Sequence, residues 1–158
     1  MNTVSVNEEG LAENAGRQML VVFDLDGTLA NSDHRVKFLQ REPKDWRGFY
    51  AACDLDTPCH PLILTLKALC LTDADVQIWS GRSKEVEDKT RSWLARHGLG
   101  DVPLRMREVG DHRPDTTIKE EWLTQIGSPW LVFEDRASVV DMWRSHGIVC
   151  AQVAPGDF

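Results

Sequence analysis

Val21-Val22-Phe23-Asp24-Leu25-Asp26-Gly27-Thr28 is the stretch that decides the fold of this chain. The run from Met19 to Phe23 is apolar throughout and reads as a buried strand. Two carboxylates, one residue apart, follow where that strand ends, and Gly27 after them permits a tight turn. In a parallel α/β sheet the carboxyl ends of the strands open into the ligand crevice. The spacing therefore predicts Asp24 and Asp26 on rigid backbone at a strand tip. A calcium loop would need alternating oxygen ligands over a longer segment, a late glutamate and flanking helices, whereas this stretch follows a strand and runs into Leu29 and Ala30. An Asx-rich turn that merely caps the strand is the other alternative.

With 158 residues, 42% of them hydrophobic, the chain is long enough for one well-buried core and too short for two ordinary domains. Its net charge of −7 argues against a long footprint on nucleic acid, where many lysines and arginines displace counterions, but is compatible with binding one phosphorylated end. Cys53, Cys59, Cys70 and Cys150 lack the paired spacing of a zinc site, and a domain of this size needs no disulfide framework. They are expected as reduced core thiols. Residues 1–18 are polar and acidic, with no apolar segment and no basic start, so a flexible tail is expected there in place of a secretory signal. No run approaches the length of a membrane span, and a soluble cytoplasmic protein with no membrane partner is expected.

After the first strand, residues 31–58 are rich in charge and punctuated by Pro43 and Pro58, which predicts a small helical insert. Trp46, Phe49 and Tyr50 fall on one face of a short helix there, a pattern that suits packing on the core better than a base-stacking platform, and the insert can serve as a small lid. Helices are expected from Pro61 to about Asp73, from Ser83 to His97, from Pro114 to Gly127 and from Ala137 to His146. Strands are expected at Val76–Trp79, Val102–Met106, Trp130–Phe133 and Ile148–Val153. Strand and helix alternate with short connections. This predicts an α/β protein of Rossmann-like, three-layer α/β/α architecture with a mostly parallel sheet.

Further polar groups fall at places that can face the crevice: Ser80 at a strand end, Lys119 in the first turns of a helix, and Glu134 with Asp135 after a later strand. Singly, each has an ordinary structural explanation as a cap, a solvated lysine or an acidic turn. Together they gather four acids around few cations. Each like-charge pair at about 4 Å costs on the order of 4 kcal/mol at an effective dielectric near 20, so the group calls for a divalent cation. Oxygen ligands select a hard ion, and Mg²⁺ is the expected cofactor.

Asp-x-Asp-Gly-Thr, Ser, Lys and paired acids, in that order, resemble the four motifs of the haloacid dehalogenase superfamily of phosphatases. The resemblance implies a haloacid dehalogenase-like fold. It implies Asp24 as the nucleophile that forms an aspartyl-phosphate, Asp26 as the general acid and base, and Ser80 and Lys119 as stabilisers of the phosphoryl group. It also implies Asp24, the Asp26 carbonyl, Glu134 and Asp135 as metal ligands. A closer resemblance is to the 3′-phosphatase domain of phage-type polynucleotide kinase-phosphatase. It is carried by Asp24-Leu25-Asp26-Gly27-Thr28-Leu29 with Arg35, by Ser80-Gly81-Arg82, by Arg113 to Glu121, by Glu134 to Trp143, and by Gln152-Val153-Ala154 and Gly156-Asp157-Phe158.

That resemblance implies substrate-binding roles for Thr28, Arg35, Gly81 and Arg82, with Asp115 as a supporting acid, and nucleic acid repair or nucleotide metabolism as the setting. Two departures stand out: Glu134 occupies a position where the family usually has aspartate, and no Gly-x-x-x-x-Gly-Lys-Ser/Thr segment of a kinase occurs in these residues. The expected activity is Mg²⁺-dependent removal of a terminal 3′-phosphate from a nucleic acid or nucleoside 3′-phosphate. Any cap is small or minimal, and the acidic surface favours short oligonucleotides or mononucleotides. The alternatives are a 5′-nucleotidase and a non-catalytic phosphate-end binding partner of a separate kinase. Homo-oligomerisation stays open.

Overall fold

The apolar run at the head of the sequence forms β1 (Leu20–Phe23), buried at every position. In the computed structural model, which describes residues 19–155, the chain continues through β2 (Ala30–Asn31), α1 (Asp33–Val36) and α2 (Trp46–Ala51). A 3₁₀ turn at Cys53–Leu55, β3 (Thr57–Pro58), α3 (His60–Leu69), β4 (Asp75–Ser83) and α4 (Glu87–Arg96) follow. The chain then forms β5 (Leu104–Arg107), α5 (Asp115–Ile126), β6 (Leu131–Glu134), α6 (Ala137–Ser145) and β7 (Val149–Gln152). The expected tail over 1–18 and the final Gly156-Asp157-Phe158 lie outside the described residues.

Five strands form one sheet in the order β5-β4-β1-β6-β7, and every pairing in it is parallel. β1 sits at the centre because its two alternating sets of side chains are both apolar. Leu20 and Val22 pack with Trp79 and Val132 against Ile118 and Trp122 of α5 and Val139, Val140 and Trp143 of α6. Val21 and Phe23 face the other way, with Ile78, onto Ile63 and Leu66 of α3 and Trp93 and Leu94 of α4. The result is the expected three-layer α/β/α arrangement. From β1 the chain builds outward to β4 and β5, then crosses back to β6 and β7, so the strand order reverses beside β1. Such a reversal opens a crevice at the carboxyl ends of the central strands.

The structure departs from expectation at several element ends: α3 stops at Leu69, short of Asp73, and α4 begins at Glu87, because Ser83 belongs to β4. β4 does not stop at Trp79 but runs on to Ser83, so Ser80-Gly81-Arg82 lies within a strand whose register with β5 shifts between Ser80 and Ser83. Buried polar side chains end the hydrophobic pattern there before the backbone pairing ends. β5 begins at Leu104 because Pro103 has no N–H to give, although its carbonyl accepts the Ile78 N–H at 2.8 Å. Cys53 and Cys150 are buried and all four thiols are free, but Cys70 caps the solvent end of α3 and is exposed.

Between β1 and α3, the two-residue antiparallel pair β2 and β3 joins Ala30 to Pro58 and Asn31 to Thr57, closing a small insert that carries α1 and α2. Among the described residues, no helix is long and apolar enough to cross a membrane. Trp79 is wholly buried under Trp122 and Trp143, with ring centroids 5.9 and 5.8 Å away. Trp79→Ala is expected to lower unfolding free energy by about 3–5 kcal/mol in urea titrations. Leu71→Ala, at an 89% exposed position, should change it by less than about 0.5 kcal/mol.

Candidate active site

The ladder between β1 and β6 runs one residue past β1: the Asp24 N–H donates to the Phe133 carbonyl at 2.9 Å. Leu25 is fully buried, so it anchors the loop while its two acidic neighbours stay at the sheet edge. The chain then turns at Gly27, where φ is +83° and the amide donates to the Ala30 carbonyl at 2.8 Å. A Cβ at Gly27 would stand 2.1 Å from Asp135 Oδ2. Only glycine both makes this turn and lets Asp135 approach.

Asp24 from β1 meets Glu134 and Asp135 from the end of the adjacent β6, with one carboxylate oxygen of each within 4.8 Å of the others. Lys119, in the second turn of α5, projects into this group. Its Nζ donates to Asp24 Oδ1 and to Glu134 Oε2, each at 2.6 Å. Glu134 Oε1 accepts the backbone N–H groups of Asp135 at 3.1 Å and Arg136 at 3.2 Å. Both oxygens of Glu134 are thereby engaged in holding the lysine and the turn. Burial, and then the charge of Glu134, push the Asp24 carboxyl well above its usual range against the pull of Lys119. Burial and Glu134 also push Asp135 up to about 7. For Lys119, burial favours the neutral amine, but Asp24 and Glu134 outweigh it and raise its pKa, so it stays an ammonium. Three carboxylates around one ammonium form a charge-deficient set of hard oxygen donors, which fits a divalent cation.

Asp26 faces different partners. Arg35 from α1 pairs with Asp26 and grips Asp56 through Nε–Oδ1 at 2.8 Å and Nη2–Oδ2 at 2.7 Å. Arg82 of β4 reaches Asp26 Oδ1 through Nε at 2.9 Å and Nη2 at 2.5 Å, and Asp56 Oδ2 through Nη2 at 2.5 Å. The side chains of Arg35, Arg82 and Asp56 have no exposed surface, while that of Asp26 is 18% exposed. Burial works to raise the Asp26 pKa, but the two guanidiniums dominate and hold it at about 2. Asp26 therefore stands as a carboxylate at neutral pH.

A third network closes the opposite wall. Asp115 shares a helix with Lys119 but pairs instead with Arg107 and with Arg136, whose Nη1 lies 2.9 Å from Asp115 Oδ2. A Cβ at Gly81 would come within 2.7 Å of Asp115 Oδ1, so the absence of a side chain there admits the carboxylate. Arg107 Nε donates to the Gly81 carbonyl at 2.7 Å, and its Nη1 donates to the carbonyls of Asp111 and Arg113 at 3.1 and 2.6 Å.

These groups surround a cavity of about 990 Å³ lined by Asp24, Asp26, Gly81, Asp115, Glu134 and Asp135 among others. Of the remaining residues singled out from sequence, Thr28, Arg35, Ser80, Arg82 and Lys119 are buried and do not line it. Ser80 Oγ accepts the Arg82 amide at 3.2 Å, while Thr28 Oγ1 has no hydrogen-bond partner among the described residues. Sequence reasoning overlooked Asp56, Arg107 and Arg136. Arg107 ends β5 on the same sheet edge that drew attention to Asp24 and Glu134, so the same rule would have found it. Asp56 offered only an acidic pair with Asp54 inside a charge-rich insert.

A family model for the polynucleotide kinase PNKP phosphatase domain matches residues 18–158. The chain belongs to this family. A chain of the Pnkp1/Rnl/Hen1 complex superposes with a TM-score of 0.77 at 30% identity, covering 90% of this chain and 48% of that one. The PNKP-type phosphatase domain described here thus spans about half the length of that relative. A haloacid dehalogenase-like hydrolase from Bacteroides fragilis matches with a TM-score of 0.64 at 15% identity over 90% of each chain. A haloacid dehalogenase family enzyme from Bacteroides thetaiotaomicron, solved as a magnesium complex, matches at 0.56 and 13%, covering 89% of this chain and 95% of that one. At these identities the last two show the fold. The resemblance read from the motifs and the family match coincide: the fold is haloacid dehalogenase-like and the domain is of phosphatase type.

The crowded acids make the metal-free fold pH-dependent. Asp24 and Asp135 release their protons near 3.8 when unfolded and at higher pH when folded. The folded state therefore binds more protons between those values, and their contribution to stability falls as pH rises through this window. Asp26, held near 2, stays ionised across it. In EDTA the thermal midpoint is expected to be higher at pH 5 than at pH 8, and Asp24→Asn should flatten that slope. A midpoint that climbs with pH in the unsubstituted protein contradicts this electrostatic account.

Proposed function

We propose that this PNKP-type domain is a Mg²⁺-dependent phosphomonoesterase that removes 3′-phosphates from nucleic acid ends or nucleoside 3′-phosphates. The reading is carried by Asp24, a buried carboxylate in the cavity wall whose Oδ1 is held by Lys119 at 2.6 Å beside two further acids. A carboxylate in the wall of a phosphate site, held by an ammonium, is placed to serve as a nucleophile.

In this reading an Asp24 oxygen bonds to phosphorus as the bond to the 3′ oxygen breaks, giving an aspartyl-phosphate and a free hydroxyl. Water then attacks that phosphoryl group and regenerates Asp24. Asp26 gives a proton to the leaving oxygen in the first half and takes one from water in the second. Its guanidinium clamp keeps it ionised at neutral pH but weakens it as a base. For both roles, the negative charge of an incoming phosphate beside Asp26 in the cavity wall raises its proton affinity. Ser80, whose Oγ accepts the Arg82 amide, positions the backbone around Gly81 in the cavity wall, and Lys119 steadies charge on Asp24. Asp24, the Asp26 carbonyl and the Glu134-Asp135 pair would hold Mg²⁺, with Glu134 also fixing Lys119 beside them. When bound, the ion supplies positive charge against the phosphate dianion.

The similar Pnkp1/Rnl/Hen1 complex is described in a second structure, matched at 29% identity, as an RNA repair complex, which supports a role at nucleic acid ends. The test follows phosphate release from 3′- and 5′-phosphorylated forms of one short oligonucleotide and one mononucleotide, with Mg²⁺ or EDTA. Release is expected from the 3′ forms, dependent on Mg²⁺, and reduced at least roughly 10³-fold in Asp24→Asn. Release from the 5′-mononucleotide alone would replace the substrate, and none from any form would overturn the enzymatic reading.

A further inference from the structure

We propose that α2 carries a nucleobase subsite, in which the base of the phosphate-bearing terminal nucleotide stacks on Trp46 at the mouth of the cavity. This deepens the phosphatase reading above and rests on it for the phosphate end of the ligand.

The three aromatic residues of α2 do different things. Phe49 is buried, and its ring centre lies 4.2 Å from the Arg35 guanidinium carbon, so it belongs to the support of the Asp26 clamp. All three line the cavity that holds Asp24 and Asp26, but Trp46 alone of them is exposed. The Trp46 ring is inclined 28° to that of Tyr50 with centroids 6.1 Å apart, and it meets Phe49 nearly edge-on at 6.0 Å. The indole is thus held in place on two sides, yet the residue is 47% exposed.

A large aromatic surface left in water beside an acidic cavity is what a flat apolar group would cover. Leu39, Val86 and Val109 extend the apolar lining. At about 990 Å³ the cavity lies at the upper end of the roughly 300–1,000 Å³ typical of small-ligand sites. A phosphate group engages only its acidic end. The ligand that matches both ends has an anion joined to an aromatic ring through a short polar linker, as a nucleoside phosphate has. Lys44, whose ammonium lies 5.9 Å from the Trp46 ring centre, and Arg47, which lines the cavity, add positive charge along the edge where a sugar-phosphate would run. Stacking on an indole accepts any base, so little base preference is expected. With a net charge of −7, a long phosphate track is not the source of affinity, and recognition concentrates on the terminal nucleoside.

The test compares KM for a nucleoside 3′-phosphate and for ribose 3-phosphate, which lacks the base. In the unsubstituted protein the nucleotide KM is expected to be lower by about tenfold or more. Trp46→Ala should collapse that ratio toward one, and Trp46→Phe should keep most of it. Equal KM values at the outset, or a ratio that survives Trp46→Ala, would overturn the subsite while leaving the phosphatase reading intact.

A second measurement does not depend on turnover. In Asp24→Asn, binding of the nucleoside 3′-phosphate should quench tryptophan fluorescence, and adding Trp46→Phe should remove that quenching against the background of the other five tryptophans. If no 3′-phosphate is ever hydrolysed, the catalytic reading fails, and this quenching alone decides for or against the subsite. Quenching that persists in the double variant, or none in Asp24→Asn, counts against it.

Discussion

One ammonium among three carboxylates is the interaction on which this domain depends. Lys119 reaches Asp24 and Glu134 only because β1 and β6 are neighbours in a parallel sheet that ends both acids at one edge. It reaches them also because Ile118 and Trp122 fix the rotation of α5 against that sheet. The apolar core thus sets the electrostatics. Removing the ammonium of Lys119 would leave the buried carboxylates unpaired, a loss that typically costs about 3–5 kcal/mol, so the cluster is structurally coupled although it is not a source of net stability. Its negative excess is what a cation and a phosphate dianion together would use.

A second charged assembly ties the insert to this core. Asp26 and Asp56 enclose Arg35 and Arg82, two carboxylates against two guanidiniums, with almost no solvent between them. Arg35 comes from α1, and Asp56 follows the 3₁₀ turn, where its carbonyl also accepts the Trp93 indole N–H at 2.8 Å. Phe49 of α2 lies against Arg35. The segments between β1 and α3 are therefore organised around the second aspartate of the motif as much as around any apolar cluster. A shift of α1 or α2 would be felt at Asp26 through the arginines, which links the mouth of the cavity to the group argued to handle protons.

Much of this was legible in the sequence where a physical period existed to be read. The central strand, the four large helices and the two faces of the sheet follow from apolar runs and helical spacing, and Lys119 follows from its place early in a helix. What lacked a period was lost. β2 and β3 have two residues each, too few to show alternation. That β4 continues through Ser80 was hidden because Ser80, Arg82 and Ser83 are polar and the apolar run ends at Trp79. The spacing of Trp46, Phe49 and Tyr50 located one helix face correctly but could not divide it. Phe49 turns inward while Trp46 stays at the rim, a distinction that depends on where Arg35 lies in space. Asp56 was invisible for the same reason: its partners stand 21 and 26 residues away.

The two aspartates of Asp-x-Asp look equivalent in sequence, and the fold makes them opposites. With Leu25 anchored in the core between them, both carboxylates emerge at the same strand tip, but Asp24 meets acids and Asp26 meets guanidiniums. Burial bears on both, so it is the neighbours that separate them: Asp24 is pushed well up, and Asp26 is held at about 2. Pairs of titratable groups driven apart in this way are how one site obtains distinct chemical roles from identical side chains. The first is a carboxylate whose charge is destabilised until positive charge joins it, which suits bond formation to an electrophile. The second is a stable anion, kept unprotonated at neutral pH until further negative charge beside it raises its proton affinity. The asymmetry is built from residues far apart in the chain, Glu134 on one side and Arg35 with Arg82 on the other, so the division of labour within the motif is a property of the sheet order that brings them together.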